Sequence, residues 1–207
     1  MSPDTLEARL ALPLPGVDAQ LLAAHPARQL TVPAGVTPRE AGVLALLYRG
    51  RDGAWRFPLI ERANRNARDR HRGQIGFPGG KYEDEDADLT ATALREAEEE
   101  VGVPRADVRV LGRLTPLYIP VSNFRVTATV GFAERPPAYV RQETEVARVI
   151  EAPVAELLAG DAVRYRDVEV GERLTLHRVP YFALAGEVVW GATAMMLSEL
   201  RTVLGPG

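Results

Sequence analysis

Cysteine is absent. That removes disulfide scaffolds, zinc–thiolate sites, iron–sulfur clusters and thiol nucleophiles together. Histidine is scarce: His25, His71 and His177 are the only three, too few for a His-rich centre, so carboxylates are the expected ligands of any metal. There is no basic excess. Lys plus Arg number 25 against 28 Asp plus Glu, a net charge of −3, so the chain lacks the charge of a nucleic-acid coat and no nucleic-acid partner is expected. Long apolar runs are missing too. The longest strongly apolar stretch, Val43–Tyr48, is far short of the ~20 residues that span a bilayer. Met1–Leu10 carries Asp4 and Glu7 and shows no secretory pattern. The ending Leu204–Gly207 matches no common address tag. The expectation is a cytoplasmic protein with no membrane partner, a monomer or a homodimer.

What remains is an ordinary globular balance: 207 residues, 46% hydrophobic and 26% charged, enough for one domain with a terminal extension and a real core. Residues 1–40 are rich in Pro and Ala and are read as two short helices and a linker, an extension packing on the domain of residues 41–207. Ala41–Tyr48 is a continuous apolar run of strand length. The turn signal Asp52-Gly53 joins it to a second strand, Phe57–Glu61. A basic stretch over 62–72 and a Gly/Pro-rich segment, Gly73–Gly80, precede an acidic loop, Glu83–Asp88. Leu89–Val101 is predicted to be a helix, stopped by Gly102 and Pro104. Val108–Leu114 and Phe124–Phe132 alternate like strands, Pro153–Ala159 reads as a short helix, and Val163–Val170 with Leu174–Val179 reads as a strand pair around Gly171. Val188–Trp190 and Ala192–Leu204 follow as a brief strand and an amphipathic helix. Intermixed strands and helices imply an α/β (α+β) fold with a mixed sheet.

The most informative segment is Leu94–Val103. At about 100° per residue, Glu96, Glu99 and Glu100 share one helical face, while Leu94, Ala97 and Val101 form another that can be buried on a sheet. Glu98 points elsewhere, toward solvent. Clustered carboxylates repel one another, and a hard divalent cation such as Mg²⁺ relieves this with oxygen ligands. Arg95 precedes Glu99 by four residues and can pair with it, steadying the carboxylate from behind. The bland alternative is a solvated acidic face. The tight turn Pro78-Gly79-Gly80, whose carbonyls can add a neutral ligand, favours the metal.

Gly80 followed, after fourteen residues, by Arg95-Glu-Ala-Glu-Glu-Glu-Val-Gly-Val103 resembles the Nudix box, G-x5-E-x7-R-E-U-x-E-E-x-G-U. The last nine positions match in full. The spacing is one residue longer than the standard thirteen. The upstream Glu of the box would fall at Ala87, with Asp86 beside it, and Asp86 or Glu83 stands in for it. The resemblance implies an α/β/α sandwich with a mixed central sheet and a catalytic loop–helix–loop. It implies hydrolysis of a diphosphate linked to a nucleoside moiety, with Mg²⁺ or Mn²⁺ held by Glu96, Glu99, Glu100 and the Gly79 carbonyl. Glu96 or Glu99 is the candidate base, with Arg95 in support. Glu145 lies in a stretch resembling one that sometimes adds a ligand or base, against the plainer reading of a surface loop residue.

Arg62, Arg65, Arg68, Arg70 and Arg72 fall within eleven residues with Asp69 as the only acid. Arginine's planar fork suits phosphate; the alternative is a basic loop neutralised by residues 83–88. In context, Leu59-Ile-Glu-Arg62 and Arg70-His-Arg-Gly-Gln-Ile-Gly-Phe-Pro-Gly-Gly80 resemble the signature of the Nudix subfamily that cleaves coenzyme A. Val179-Pro-Tyr-Phe182 and Val189-Trp-Gly-Ala-Thr-Ala194 resemble a second stretch of that subfamily. This implies coenzyme A or a derivative as the small-molecule substrate, with 3′,5′-ADP and 4′-phosphopantetheine as products. Arg62, Arg65, Arg68, Arg70, His71, Gln74 and Tyr181 are the candidate substrate contacts. Tyr181, Phe182 and Trp190 either stack on adenine, line the pantetheine or pack in the core. The rivals are another substrate such as ADP-ribose or NADH on the same machinery, and a non-catalytic nucleotide-binding relative.

Overall fold

The computed structural model describes residues 2–63, 73–170 and 174–205. Strand β1 (Arg39–Arg49) organises the fold. Its side chains alternate between two cores, as strand geometry requires: Leu44, Leu46 and Tyr48 enter one, Ala45 and Leu47 the other. β1 runs parallel to β7 (Phe124–Ala133), from Arg39 opposite Phe124 to Tyr48 opposite Ala133. β2 (Trp55–Arg62) returns antiparallel from the Asp52-Gly53 turn, where the Asp52 carboxylate accepts the Ala54 N–H. β3 (Ile75–Gly76) and β8 (Val146–Pro153) pair with β2, and β4 (Gly79–Lys81) pairs with the start of β1. β5 (Arg109–Arg113) and β6 (Leu117–Ile119) pair with β7. The result is a mixed sheet. A second, antiparallel sheet comprises β9 (Val163–Val170), β10 (Leu174–Leu184) and β11 (Glu187–Trp190).

Helices cover both faces of the mixed sheet, giving the α/β/α sandwich that the motif implied. α3 (Leu89–Val101) lies on one face. α1 (Pro3–Leu10), α2 (Gly16–Leu21), α4 (Val154–Leu158) and α5 (Gly191–Leu204) belong to the other core. α2 is tied down by a buried polar network. Glu199 on α5 is fully buried and accepts from Gln20 Nε2, Thr115 N–H and the Thr115 hydroxyl. Arg9 on α1 donates to the carbonyls of Val203, Leu204 and Gly205, closing the end of α5. Among the described residues no helix is long and apolar enough to cross a membrane.

α3 has the bounds its sequence predicts. Asp88 caps its start by accepting the Ala91 N–H, and Gly102 ends it in the left-handed region at φ 70°. Four strands were not anticipated: the short β3 and β4, which fall in and at the end of the Gly/Pro-rich segment, and β6 and β8. β6 has only three residues, and β8 mixes Ala, Arg and Glu with its apolar positions; pairing with β7 and β2 sets them. Pro153 ends β8 and caps α4 rather than starting it.

Candidate active site

Two glycines bring α3 against the sheet. A Cβ on Gly42 of β1 would collide with the Leu89 carbonyl, so the first turn of the helix rests on bare backbone. A Cβ on Gly80 of β4 would occupy the space of the Glu96 carboxylate. Ala93, Ala97 and Val101 are buried against β1. This corrects the expected face: it centres on Ala93 and Ala97, with Leu94 only partly buried. Glu100 falls within it. At about 100° per residue, Glu100 lies close to Ala93 around the helix, Glu96 at the margin and Glu99 beyond it.

The carboxylates therefore run from interior to solvent: the side chain of Glu100 is 1% exposed, that of Glu96 14% and that of Glu99 51%. Each has a partner. Glu100 Oε2 accepts the Gly79 N–H at 2.9 Å, and Oε1 lies 3.5 Å from the Arg62 guanidinium. Arg95 Nη1 donates to Glu96 Oε1 at 2.9 Å and to Glu99 Oε2 at 3.3 Å. Burial pushes the Glu100 carboxyl up to about 7. The Gly79 N–H and Arg62 oppose this, and the charges of Glu96 and Glu145 add to it. Burial raises Glu96 as well, against the pull of Arg95. Glu145 is exposed, yet its charge acts on both Glu96 and Glu100. Its backbone carbonyl accepts the Ala63 N–H at the end of β2.

Asp86 anchors the group. Its carboxylate receives both prongs of the Arg95 guanidinium, the Thr92 hydroxyl and the Glu83 N–H. Arg95 and these neighbouring donors hold it at about 2. Arg95 also donates to the Lys81 carbonyl, joining β4, the acidic loop and α3. Glu98 is not simply solvated, as expected. It binds Arg105, accepting from its Nε at 2.7 Å and from its backbone N–H.

Of the basic stretch, Arg62 lies beside α3, next to Glu100. Arg65, Arg68, Arg70, His71 and Arg72 lie outside the described residues. Gln74 closes the strand pair by accepting the Arg62 N–H on its carbonyl, next to Gly73, whose N–H goes back to Arg62. Tyr181 and Trp190 are half-buried partners across β10 and β11, whereas Phe182 is wholly buried in the core and is excluded from ligand contact. β11 packs beside β3. The Thr193 hydroxyl lies 3.4 Å from where a Cβ on Gly76 would be. No pattern in the sequence signalled Gly42, and the box singles out Gly80 as its first glycine without a reason for it.

Among the described residues no three carboxylates or imidazoles form a ready-made metal cage. The donor set still fits a hard divalent ion. Mg²⁺ keeps several waters and is held by one or two carboxylates together with substrate phosphates. Glu100 and Glu96 supply buried, mutually repelling oxygens of that kind.

The family model for the NUDIX domain matches residues 38–171. The uncharacterized Nudix hydrolase NudL of Cronobacter sakazakii is 42% identical over 136 residues, 66% of this chain and 69% of that protein. The NudL protein of Citrobacter koseri, likewise uncharacterized, is 39% identical over 163 residues, covering 75% and 83%. Among solved structures, the Nudix hydrolase RenU of M. smegmatis superimposes with a TM-score of 0.55 at 17% identity, over 80% of this chain and 85% of that one. A MutT/nudix family protein of Enterococcus faecalis gives 0.53 at 15% identity, over 84% and 65%. These two share the fold.

Proposed function

This chain belongs to the Nudix family, and on that premise we propose that it hydrolyses the diphosphate bond of coenzyme A and its derivatives to 3′,5′-ADP and 4′-phosphopantetheine. The family membership itself makes it a hydrolase of phosphoanhydride bonds in nucleoside diphosphate derivatives. The observation that carries the finer reading is the packing of β3 beside β11 and the start of α5. Gln74–Gly80, the end of the stretch Arg70–Gly80 that resembles the coenzyme A subfamily, meets Val189–Ala194 of the second such stretch there. β4 follows directly and reaches Glu96 and Glu100.

Glu100 and Glu96 are the residues that would hold Mg²⁺ or Mn²⁺, with Glu99 and the Gly79 carbonyl at the margin. A divalent ion there supplies charge neutralisation of the diphosphate and a more acidic water. The chain's own part is positional. Arg95 fixes Glu96 and Glu99 while Asp86 fixes Arg95. Arg95 engages Oε1 of Glu96 and Oε2 of Glu99, leaving Glu96 Oε2 and Glu99 Oε1; whichever of the two does not hold the ion is suited to accept a proton from the attacking water. Arg62 brings positive charge beside Glu100, where the substrate's phosphates would lie. Tyr181 offers a half-buried ring for contact with the rest of the ligand.

The test is a panel of coenzyme A, dephospho-coenzyme A, ADP-ribose and NADH, each with Mg²⁺ and with Mn²⁺. The highest kcat/KM is expected for coenzyme A, with 3′,5′-ADP as product. A preference for ADP-ribose or NADH would replace the substrate. Binding without turnover of any of them would make the protein a nucleotide-binding relative.

A further inference from the structure

The segment Tyr139–Val146, between β7 and β8, crosses the end of the catalytic helix and is bound to it backbone to backbone. The Val140 N–H donates to the Val101 carbonyl at 3.0 Å, and the Gln142 N–H to the Glu100 carbonyl at 2.8 Å. The last carbonyls of a helix have no N–H partner within it, so the segment completes the turn of α3 that carries Glu100. Gly102 permits the approach. A Cβ there would stand within 3.1 Å of the Cβ, N and O of Val140. Tyr139 anchors the start of the segment, packed on the core beneath α3 with its ring edge-on to Tyr48.

Beyond Gln142 the chain turns. The Gln142 carbonyl accepts the N–H groups of Glu145 and Val146, at 3.0 and 2.9 Å. The Glu145 carbonyl accepts the Ala63 N–H at 2.7 Å, one residue from Arg62, whose guanidinium lies 3.5 Å from Glu100. Glu145 is therefore carried on a turn pinned to the backbone of Glu100 on one side and to the end of β2 on the other. Its charge is felt by both Glu96 and Glu100. Residues 141–145 are all exposed, so the shape of the turn depends on polar contacts and not on core packing.

One side chain closes that turn. Arg141 Nη1 donates to the carbonyl of Val146 at 3.3 Å and to that of Ala147, and Nη2 donates to Glu143 Oε1 at 3.2 Å. The Glu143 pair is exposed on both sides, and such pairs contribute little. The carbonyl contacts are different, because they join the two ends of the turn through a planar fork of fixed geometry. A carboxylate on an exposed turn adds to a cation site only while it is held close, and holding it costs conformational entropy that the fork has already met.

We propose that Arg141 is a positioning residue of the divalent-ion site: it closes the turn that keeps the Glu145 carboxylate close to Glu96 and Glu100. Arg141 touches neither ion nor substrate and acts through Glu145. The inference rests on an ion at Glu96 and Glu100 and is independent of coenzyme A as the substrate.

Full-length, metal-free protein is titrated calorimetrically with Mn²⁺ alone, without nucleotide. Glu145→Gln and Arg141→Gln should each weaken Mn²⁺ binding about ten-fold, the lower end of what losing a support behind a metal site costs. The two losses should not add, since residues that act through one another are coupled. Arg141→Gln in the Glu145→Gln background should therefore change little further. Glu143→Gln should bind Mn²⁺ as the wild type does. Wild-type affinity in Arg141→Gln or in Glu145→Gln would overturn the proposal. A loss in Arg141→Gln that persists undiminished in the Glu145→Gln background would do the same, because Arg141 would then act on the fold at large. Glu100→Gln separates these failures from failure of the metal reading. Weak binding there beside full binding in Arg141→Gln keeps the ion and rejects Arg141, whereas no Mn²⁺ binding by the wild type rejects both.

Discussion

Arg95 meets Asp86 in a two-pronged ion pair, Nε to Oδ1 and Nη2 to Oδ2, both at 2.9 Å. Both side chains are largely buried, at 13% and 5% exposed. The same guanidinium holds Glu96 and Glu99 through Nη1. A pair this sheltered leaves an uncompensated charge when one partner goes. Asp86→Asn should therefore destabilise the protein by about 3 kcal/mol and also lower kcat, because Glu96 loses its orientation. Urea unfolding and steady-state kinetics on one preparation measure both. Unchanged stability would show that the pair carries no weight. Glu98→Gln, which disturbs only the Arg105 contact, should leave kcat near wild type.

Glu100 should report the cost of burying its charge. Its carboxyl is raised from 4.5 to about 7 in the folded protein. Below 4.5 it is protonated in both folded and unfolded chains and has no effect. Between 4.5 and 7 the unfolded chain releases the proton while the folded one keeps it, so stability falls as pH rises. Above 7 the full penalty, about 3 kcal/mol at 1.36 kcal/mol per unit, is present. In EDTA, Glu100→Gln should therefore raise the thermal midpoint at pH 8 and hardly at all at pH 4. With Mg²⁺ present its turnover should fall by orders of magnitude at pH 8, where the wild-type carboxyl is ionised. A midpoint gain of equal size at both pH values would point to packing instead of charge.

Divalent metal should stabilise the fold and be needed for activity. Binding to the native state alone adds RT ln(1 + [L]/Kd), about 2.7 kcal/mol at one hundred times Kd. Mg²⁺ or Mn²⁺ should raise the thermal midpoint of the wild type, and EDTA should reverse it. The shift should shrink in Glu100→Gln and in Glu96→Gln and persist in Glu98→Gln. Full hydrolysis in excess EDTA would remove the metal from the reaction.

Much of this site was legible because its signals are local. Asp88 and Gly102 punctuate α3, and the spacing of Arg95, Glu96, Glu99 and Glu100 is a property of one helix. The exposure gradient among the three glutamates was not legible. It depends on where the sheet lies, and the apolar positions Leu94, Ala97 and Val101 placed that contact one residue away from Ala93. The pairing of Asp86 with Arg95 also needed the path of the acidic loop, since nine residues separate them in sequence. Glu145 was tied to the cluster only by resemblance, against the plainer reading of a surface loop residue. Its proximity comes from β8 pairing with β2, a contact between distant segments.

Gly42 and Gly80 make the sharpest test, because the same substitution at each should fail differently. At Gly42 a methyl group would strike the Leu89 carbonyl and come within 3.0 Å of the Ala93 nitrogen, both backbone atoms of α3. Backbone cannot step aside without moving the helix, so Gly42→Ala should cost about 3 kcal/mol or more. At Gly80 the three atoms nearest the methyl group all belong to the carboxylate of Glu96, the free end of a flexible side chain. Glu96 can rotate away, and Gly80 does not have a positive φ. Gly80→Ala should therefore keep stability within about 1 kcal/mol while displacing Glu96 from Arg95. Its kcat should fall at least a hundred-fold, as for other small misplacements of a catalytic group. Urea midpoints and kcat, measured together for the two variants, separate the roles. A stable Gly80→Ala with wild-type turnover would mean that the position of Glu96 does not matter to the chemistry, and the assignment of Glu96 would then fall.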